Sequence, residues 1–172
     1  TRPLQRLLVL RTDRQFHDLV QLAKTQGVPV HIEPPQAFDR LAPGGHHQGV
    51  IALIAAKSYD TTEQILELAK TRDEKPFLVL LDGVEDPHNL GAVLRTAEAA
   101  GVHGVFIPER RAVGLTSVVA KVSAGALDHI SVGRVGNLIR LIQELKEAGL
   151  WVYGVDPQAA KLHTDIDMTG PI

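Results

Sequence analysis

The chain has no cysteine, which excludes disulfides and thiolate metal sites. Aromatic residues are scarce, at 4% of the total, so Trp151 and Tyr153 read as packing residues rather than as part of a base-stacking surface. No apolar run is long enough to span a bilayer, and the first residues carry no secretory signal pattern. A cytoplasmic protein without a membrane partner is expected. Positive charge is not in excess. Eighteen Lys and Arg against 20 Asp and Glu give a formal net charge of −2, which argues against bulk electrostatic binding of nucleic acid and leaves only local concentrations of cations. The phosphate-cradling patterns G-x-G-x-x-G and G-x-x-x-x-G-K-[ST] are absent, which makes an unrelated nucleotide-binding α/β protein the weakest assignment. There is no internal repeat and no low-complexity tract.

What is present is an alternation of strands and helices over an apolar fraction of 44%, enough for a packed core in one large or two small domains. Leu7 to Leu10 predicts a strand. Asp13 predicts the cap of a helix with Phe16, Leu19, Val20 and Ala23 on one face and Gly27 as its stop. A strand at 28–32, a short helix at 36–41, a turn at 44–49 and a strand at 50–55 complete a small α/β domain. Thr61 and Gln64 form a capping box for a helix carrying Ile65, Leu66, Leu68 and Ala69, closed by the charged stretch 71–75. Further on, strands at 77–81, 103–108, 130–132 and 150–155 alternate with helices from Pro87, at 115–122 and at 137–148. That alternation implies a parallel sheet with right-handed crossovers.

The most informative stretch is Leu81 to Ala97, which follows an apolar strand and opens a helix. Polar groups at the carboxyl end of a strand, where a helix begins, are how open α/β sheets build ligand sites. Asp86 suits the N-cap, and Pro87 suits the first helical position because it has no N–H to leave unpaired. Leu90, Val93, Leu94 and Ala97 recur at helical spacing and are expected to face the core. The neighbours of Arg95 on its face are Gly91, Ala92, Glu98 and Ala99, a mostly small floor over which another molecule can approach. The alternative is an exposed Arg95–Glu98 pair, worth a few tenths of a kcal/mol. Other candidate cations are Arg2, Arg6, Arg11 and Arg14, then Arg110, Arg111 and Lys121, with the Arg110–Arg111 pair best placed in the loop after a strand. His46 and His47 are adjacent and cannot easily share a metal, and no nearby carboxylate completes a set, so no metal site is expected.

The run from Asp82 to Val102, DGVEDPHNLGAVLRTAEAAGV, resembles without a gap the first signature of the SpoU (TrmH-like) RNA ribose 2′-O-methyltransferases. These belong to the trefoil-knotted SPOUT superfamily, with a Rossmann-like α/β knot, and use S-adenosylmethionine. The resemblance implies that Arg95 activates the ribose 2′-hydroxyl and that Asn89 helps organise the site and the RNA. A guanidinium is normally protonated throughout the working range, so a clamp on the RNA backbone is the other role open to Arg95. The segment from Lys121 to Ala126 is similar to the family's second signature, which adds Lys121 and Ser123 to Arg110 and Arg111 as RNA-binding candidates. His47-Gln48-Gly49-Val50 is similar to the join in members with an extra N-terminal domain like ribosomal protein L30e, which helps hold the RNA. Equal weight goes to a tight turn in which the glycines bend the chain and His46 and His47 satisfy its backbone.

The resemblance therefore implies an L30e-like RNA-binding domain at 1–60, a helical linker at 61–75 and a SpoU methyltransferase domain at 76–172. The family's later signatures, a glycine-rich loop with glutamate and an asparagine- and serine-containing segment, are not found. The chain, beginning at Thr1, is expected to be the central part of a longer enzyme, truncated before the knot, with its cofactor contacts beyond Ile172. At full length the resemblance implies a homodimer acting on RNA, most like the enzymes that methylate a guanosine ribose of large-subunit ribosomal RNA. Transfer RNA is a further substrate class, and a non-catalytic RNA-binding module of the same fold is the alternative function.

Overall fold

Leu7, Leu8 and Val9 are each almost wholly buried, and they lie in the central strand of the first of two units. The computed structural model describes residues 3–12 and 14–172, and contacts divide the chain into Thr1–Ala56 and Lys57–Ile172. In the first unit β1 (Leu4–Val9) pairs in parallel with β2 (Val30–Ile32) and antiparallel with β3 (Val50–Ile54). Helix α1 (His17–Thr25) sets Phe16, Val20 and Ala23 against Leu7 and Val9. Leu19, expected on the same face, is 39% exposed, because the buried positions follow an i, i+4, i+7 line and leave it at the margin. Helix α2 (Pro35–Leu41) buries Phe38 completely. The predicted Asp13 cap and the cation Arg2 lie outside the described residues.

The second unit is built on the parallel sheet that the sequence predicts. Its order is β4 (Leu78–Leu80), β5 (Gly104–Pro108), β6 (Ser131–Val135). Side chains alternate across a strand, and β5 is buried on both faces. Val105 and Ile107 join Leu90, Leu94, Ala97 and Val119 in one cluster, from α4 (Pro87–Ala99) and α5 (Ser117–Val122). Phe106 joins Ile65, Leu141 and Leu145 in the other, from α3 (Thr62–Thr71) and α6 (Leu138–Glu147). The expected capping box at Thr61 is present, with Thr61 N–H donating to Gln64 Oε1 at 2.8 Å and Gln64 N–H to Thr61 Oγ1 at 3.3 Å. The helix assigned to a linker at 61–75 instead belongs to this core, because Ile65 and Ala69 are wholly buried. The charged stretch after it is also tied in, through Glu74 Oε2, 2.8 Å from Nε2 of the buried His103. Just before α3, Asp60 N–H donates to Val132 O at 2.8 Å and Val132 N–H to Asp60 Oδ2 at 3.3 Å, which fastens residues 57–60 alongside β6.

Residues 150–155 form no strand, contrary to their apolar pattern. A strand needs a ladder of partners. Here Trp151 N–H donates to Pro171 O at 2.9 Å, and the neighbouring Ile172 bonds to Pro76 and Leu78. Trp151, expected to pack, is 67% exposed. Among the described residues no helix is long and apolar enough to cross a membrane. Replacing Ile65 by Ala tests the place of α3. Loss of a fully buried isoleucine is expected to cost about 2–5 kcal/mol in urea unfolding, whereas a linker position would change stability by less than about 0.5 kcal/mol.

Candidate functional site

Parallel strands bring the loops after β4 and β5, residues 81–86 and 109–116, to the carboxyl edge of one sheet, the edge at which such sheets bind ligands. Helix α4 starts there. Asp86 Oδ1 accepts the His88 N–H at 2.7 Å and Pro87 occupies the first turn, as the sequence predicts. Leu90, Gly91, Leu94 and Ala97 are buried, and Val93 is half-buried. His88, Asn89, Arg95 and Thr96 are exposed. At 3.6 residues per turn His88 and Arg95 lie about 20° apart around the helix, on one line, whereas Asn89 and Arg95 are about 120° apart. His88 thus shares the face of Arg95, a juxtaposition that the i, i+7 spacing signals in the sequence.

The small floor beside Arg95 has a different use from the one expected. A Cβ on Gly91 would stand 2.7 Å from Val122 Cβ and 3.2 Å from Ser123 N. Gly91 therefore lets α5 approach α4, and no space remains over it for a ligand. The same packing removes Ser123 from the RNA-binding candidates. Its side chain is fully buried and its hydroxyl donates to Ala120 O at 3.0 Å. Lys121, two residues earlier, is exposed. The alternative Arg95–Glu98 pair does not form among the described residues, and Arg95 has no side-chain partner there.

The loop after β5 is fixed at several points. Arg134 Nη2 donates to Glu109 O at 2.9 Å, Val113 N–H to Val84 O at 3.0 Å and Leu115 N–H to the Tyr59 hydroxyl at 3.1 Å. Between these ties Arg110 and Arg111 stand exposed, Arg111 at a positive φ of 56°. Neither pairs with a carboxylate among the described residues. Asp82, Glu85 and Glu109 are exposed at the same edge, so the edge is mixed in charge, with its arginines free to meet an anion. Tyr59 and Arg134 escaped the sequence reading. The sequence signal was slight: Tyr59 is one of two tyrosines in a chain poor in aromatics.

In the first unit His47 is used by the turn itself. Its Nδ1 accepts the Gly49 N–H at 3.0 Å, and its ring lies 4.9 Å from that of Phe38. Gln48 is exposed at a φ of 49° and lines a concavity of about 390 Å³ with Leu10, Arg11, Gln15, Phe16 and Gly49. Gly49 cannot carry a side chain, since a Cβ would stand 2.9 Å from Phe16 Cζ and φ is +86°.

A second concavity, of about 350 Å³, lies at the start of α6 between Gly136, Asn137 and Arg140, and a third runs along α3. None of the three is lined by α4, and Asn89 and Arg95 stand on an open surface. None of these three concavities brings Arg95 or Asn89 against a molecule the size of S-adenosylmethionine. Among the described residues no group of three or more His, Cys, Asp or Glu side chains is placed to hold a metal ion.

Residues 76–172 match the model of the SpoU rRNA methylase family, and residues 1–60 match that of the RNA 2′-O ribose methyltransferase substrate-binding domain. The chain is similar to YacO of Bacillus subtilis (strain 168), named as a TrmH family tRNA/rRNA methyltransferase, with 45% identity over 158 residues, 92% of this chain and 63% of that protein. It is 46% identical to a protein of the same family name from Staphylococcus haemolyticus (strain JCSC1435), over 92% of this chain and 64% of that one. The chain thus spans under two thirds of the length of these relatives. The fold is shared with the SpoU methyltransferase AviRb of Streptomyces viridochromogenes at a TM-score of 0.72 and 22% identity, over 99% of this chain and 63% of that one. AviRb has also been solved with the cofactor AdoMet.

The α4–α5 contact is tested by Gly91→Ala. Overpacking against Val122 is expected to cost about 1–3 kcal/mol in equilibrium unfolding, while Arg95→Ala changes stability by less than about 0.5 kcal/mol. Equal effects at the two positions would contradict the packing described.

Proposed function

The chain belongs to the SpoU rRNA methylase family, and from that premise we propose that it carries the RNA-holding and ribose-orienting part of an S-adenosylmethionine-dependent RNA 2′-O-methyltransferase. The observation that carries this reading is Arg95, exposed on α4 with no partner among the described residues. The proposed target is a guanosine ribose in large-subunit ribosomal RNA. Transfer RNA is the other substrate class, since the relatives' names join the two. Residues 1–60 are the RNA-binding domain, with Gln48 at its surface, and a cytoplasmic homodimer is the proposed working form. The relatives are longer than this chain, and the enclosing contacts to the cofactor are assigned to the part of the family fold outside these residues.

Within the chain, the chemistry assigned to each residue follows from its donors. The planar fork of Arg95 has five N–H donors and suits a phosphate or the ribose 2′-oxygen, which it orients and whose negative charge it balances. Asn89 offers both an acceptor and two donors about 120° around the helix from Arg95, and so can hold a second group of the nucleotide. Arg110, Arg111 and Lys121 meet the backbone phosphates and supply the salt-dependent part of the affinity. Orientation of this kind is a large part of the rate of a group transfer between bound reactants.

The test is methyl transfer from labelled S-adenosylmethionine to unmodified ribosomal RNA by a protein that carries these residues together with the cofactor-enclosing part of the family fold, and by its Arg95→Ala variant. Arg95→Ala is expected to lower transfer by about 100-fold or more, with RNA affinity reduced far less. Arg95→Lys keeps the charge without the fork and is expected to recover little. Wild-type rates in Arg95→Ala would contradict the role of Arg95. Salt-sensitive RNA binding by a wild type that transfers no methyl group would identify a non-catalytic RNA-binding module.

A further inference from the structure

We infer that Tyr59 is a positioning residue for RNA binding, acting through its hydroxyl and Arg134 to set where Arg110 and Arg111 stand; the inference rests on the reading of this edge as RNA-facing. Tyr59 sits close after the boundary between the two units, and the adjacent Asp60 is fixed by its two bonds to Val132. The half-buried ring packs against the same cluster as Ala112, Val113 and Leu115. Its hydroxyl accepts the Leu115 N–H at 3.1 Å. Gly114 eases the approach, since a Cβ there would stand 3.1 Å from the hydroxyl oxygen, a tight contact.

Arg134 completes the device. Its guanidinium carbon lies 5.4 Å from the centre of the Tyr59 ring, within cation–π range, and its Nη2 donates to Glu109 O at 2.9 Å. One stacked pair therefore holds both ends of a short loop: Arg134 holds the entry at Glu109 and Tyr59 holds the exit at Leu115. The two exposed arginines lie between those ties. Packing alone needs only the ring, and phenylalanine would supply it. The hydroxyl is the part that reaches the loop backbone, at a point where the N–H would otherwise lack a partner. Holding the loop in advance reduces the conformational freedom that two long side chains and their backbone lose on binding a phosphate.

The experiment is RNA binding by anisotropy at fixed salt, with an unmodified in vitro transcript of large-subunit ribosomal RNA as the probe. It compares wild type, Tyr59→Phe, Arg110→Ala/Arg111→Ala, and the triple variant. Tyr59→Phe is expected to weaken binding by about three- to tenfold through the loosened loop, with the thermal midpoint lowered by no more than a few degrees, as the loss of one hydrogen bond allows. In the background lacking both arginines the same change is expected to have no effect, because the hydroxyl acts through them. Wild-type affinity in Tyr59→Phe would overturn the inference alone, and so would an equal loss in both backgrounds. Absence of RNA binding by the wild type would overturn the RNA-facing reading itself, and the inference with it.

Discussion

Strand β5 is the constraint on which the second unit depends. It is buried on both faces, so each of its side chains must find a helix. Val105 and Ile107 fix the layer of α4 and α5, while Phe106 fixes that of α3 and α6. A Cβ at Gly104 would overlap Ile65 of α3, so this glycine sets how closely helix and sheet meet, and Gly133, paired with Phe106 on the next strand, leaves room for the Phe106 ring. The carboxyl edge is a consequence of this packing. Once β4 and β5 run in parallel, their following loops must emerge side by side, and α4 must begin there with Asp86 as its cap.

The chemistry of that edge comes from what is left unpaired. The chain as a whole is slightly negative, and several carboxylates stand at the same edge. Yet Arg95, Arg110 and Arg111 are not neutralised among the described residues. Exposed cations without partners attract phosphate at long range, and fixed backbone geometry turns that attraction into orientation. The loop after β5 shows both properties, with its backbone tied to Tyr59, Arg134 and Val84 while its arginines remain available.

The sequence reveals most where local chemistry decides the outcome. The Thr61 capping box, the Asp86 cap, the helix of Arg95 and the parallel sheet all follow from short-range patterns and are found as read. It misleads where a distant partner decides. Gly91 reads as a floor for a ligand until α5 is placed over it, and Ser123 reads as a surface hydroxyl until the same contact buries it. Residues 150–155 have the composition of a strand, but among the described residues the one backbone bond of 151–155 is Trp151 N–H to Pro171 O, which is no ladder. The amphipathic helix after Thr61 reads as the linker beyond a domain boundary near residue 60, and its Ile65 packs in the core with Leu78, Phe106 and Leu141. The link from Tyr59 to Leu115 spans 56 positions and leaves no trace in local spacing.

The central claim is that the exposed arginine of α4 serves the methylation of a ribose. The most direct measurement is nucleoside mass spectrometry of RNA incubated with methyl-labelled S-adenosylmethionine and a protein that carries these residues together with the cofactor-enclosing part of the family fold. The account predicts the label in a 2′-O-methylated nucleoside. Label on a base, or no label in any nucleoside of ribosomal or transfer RNA, would contradict it.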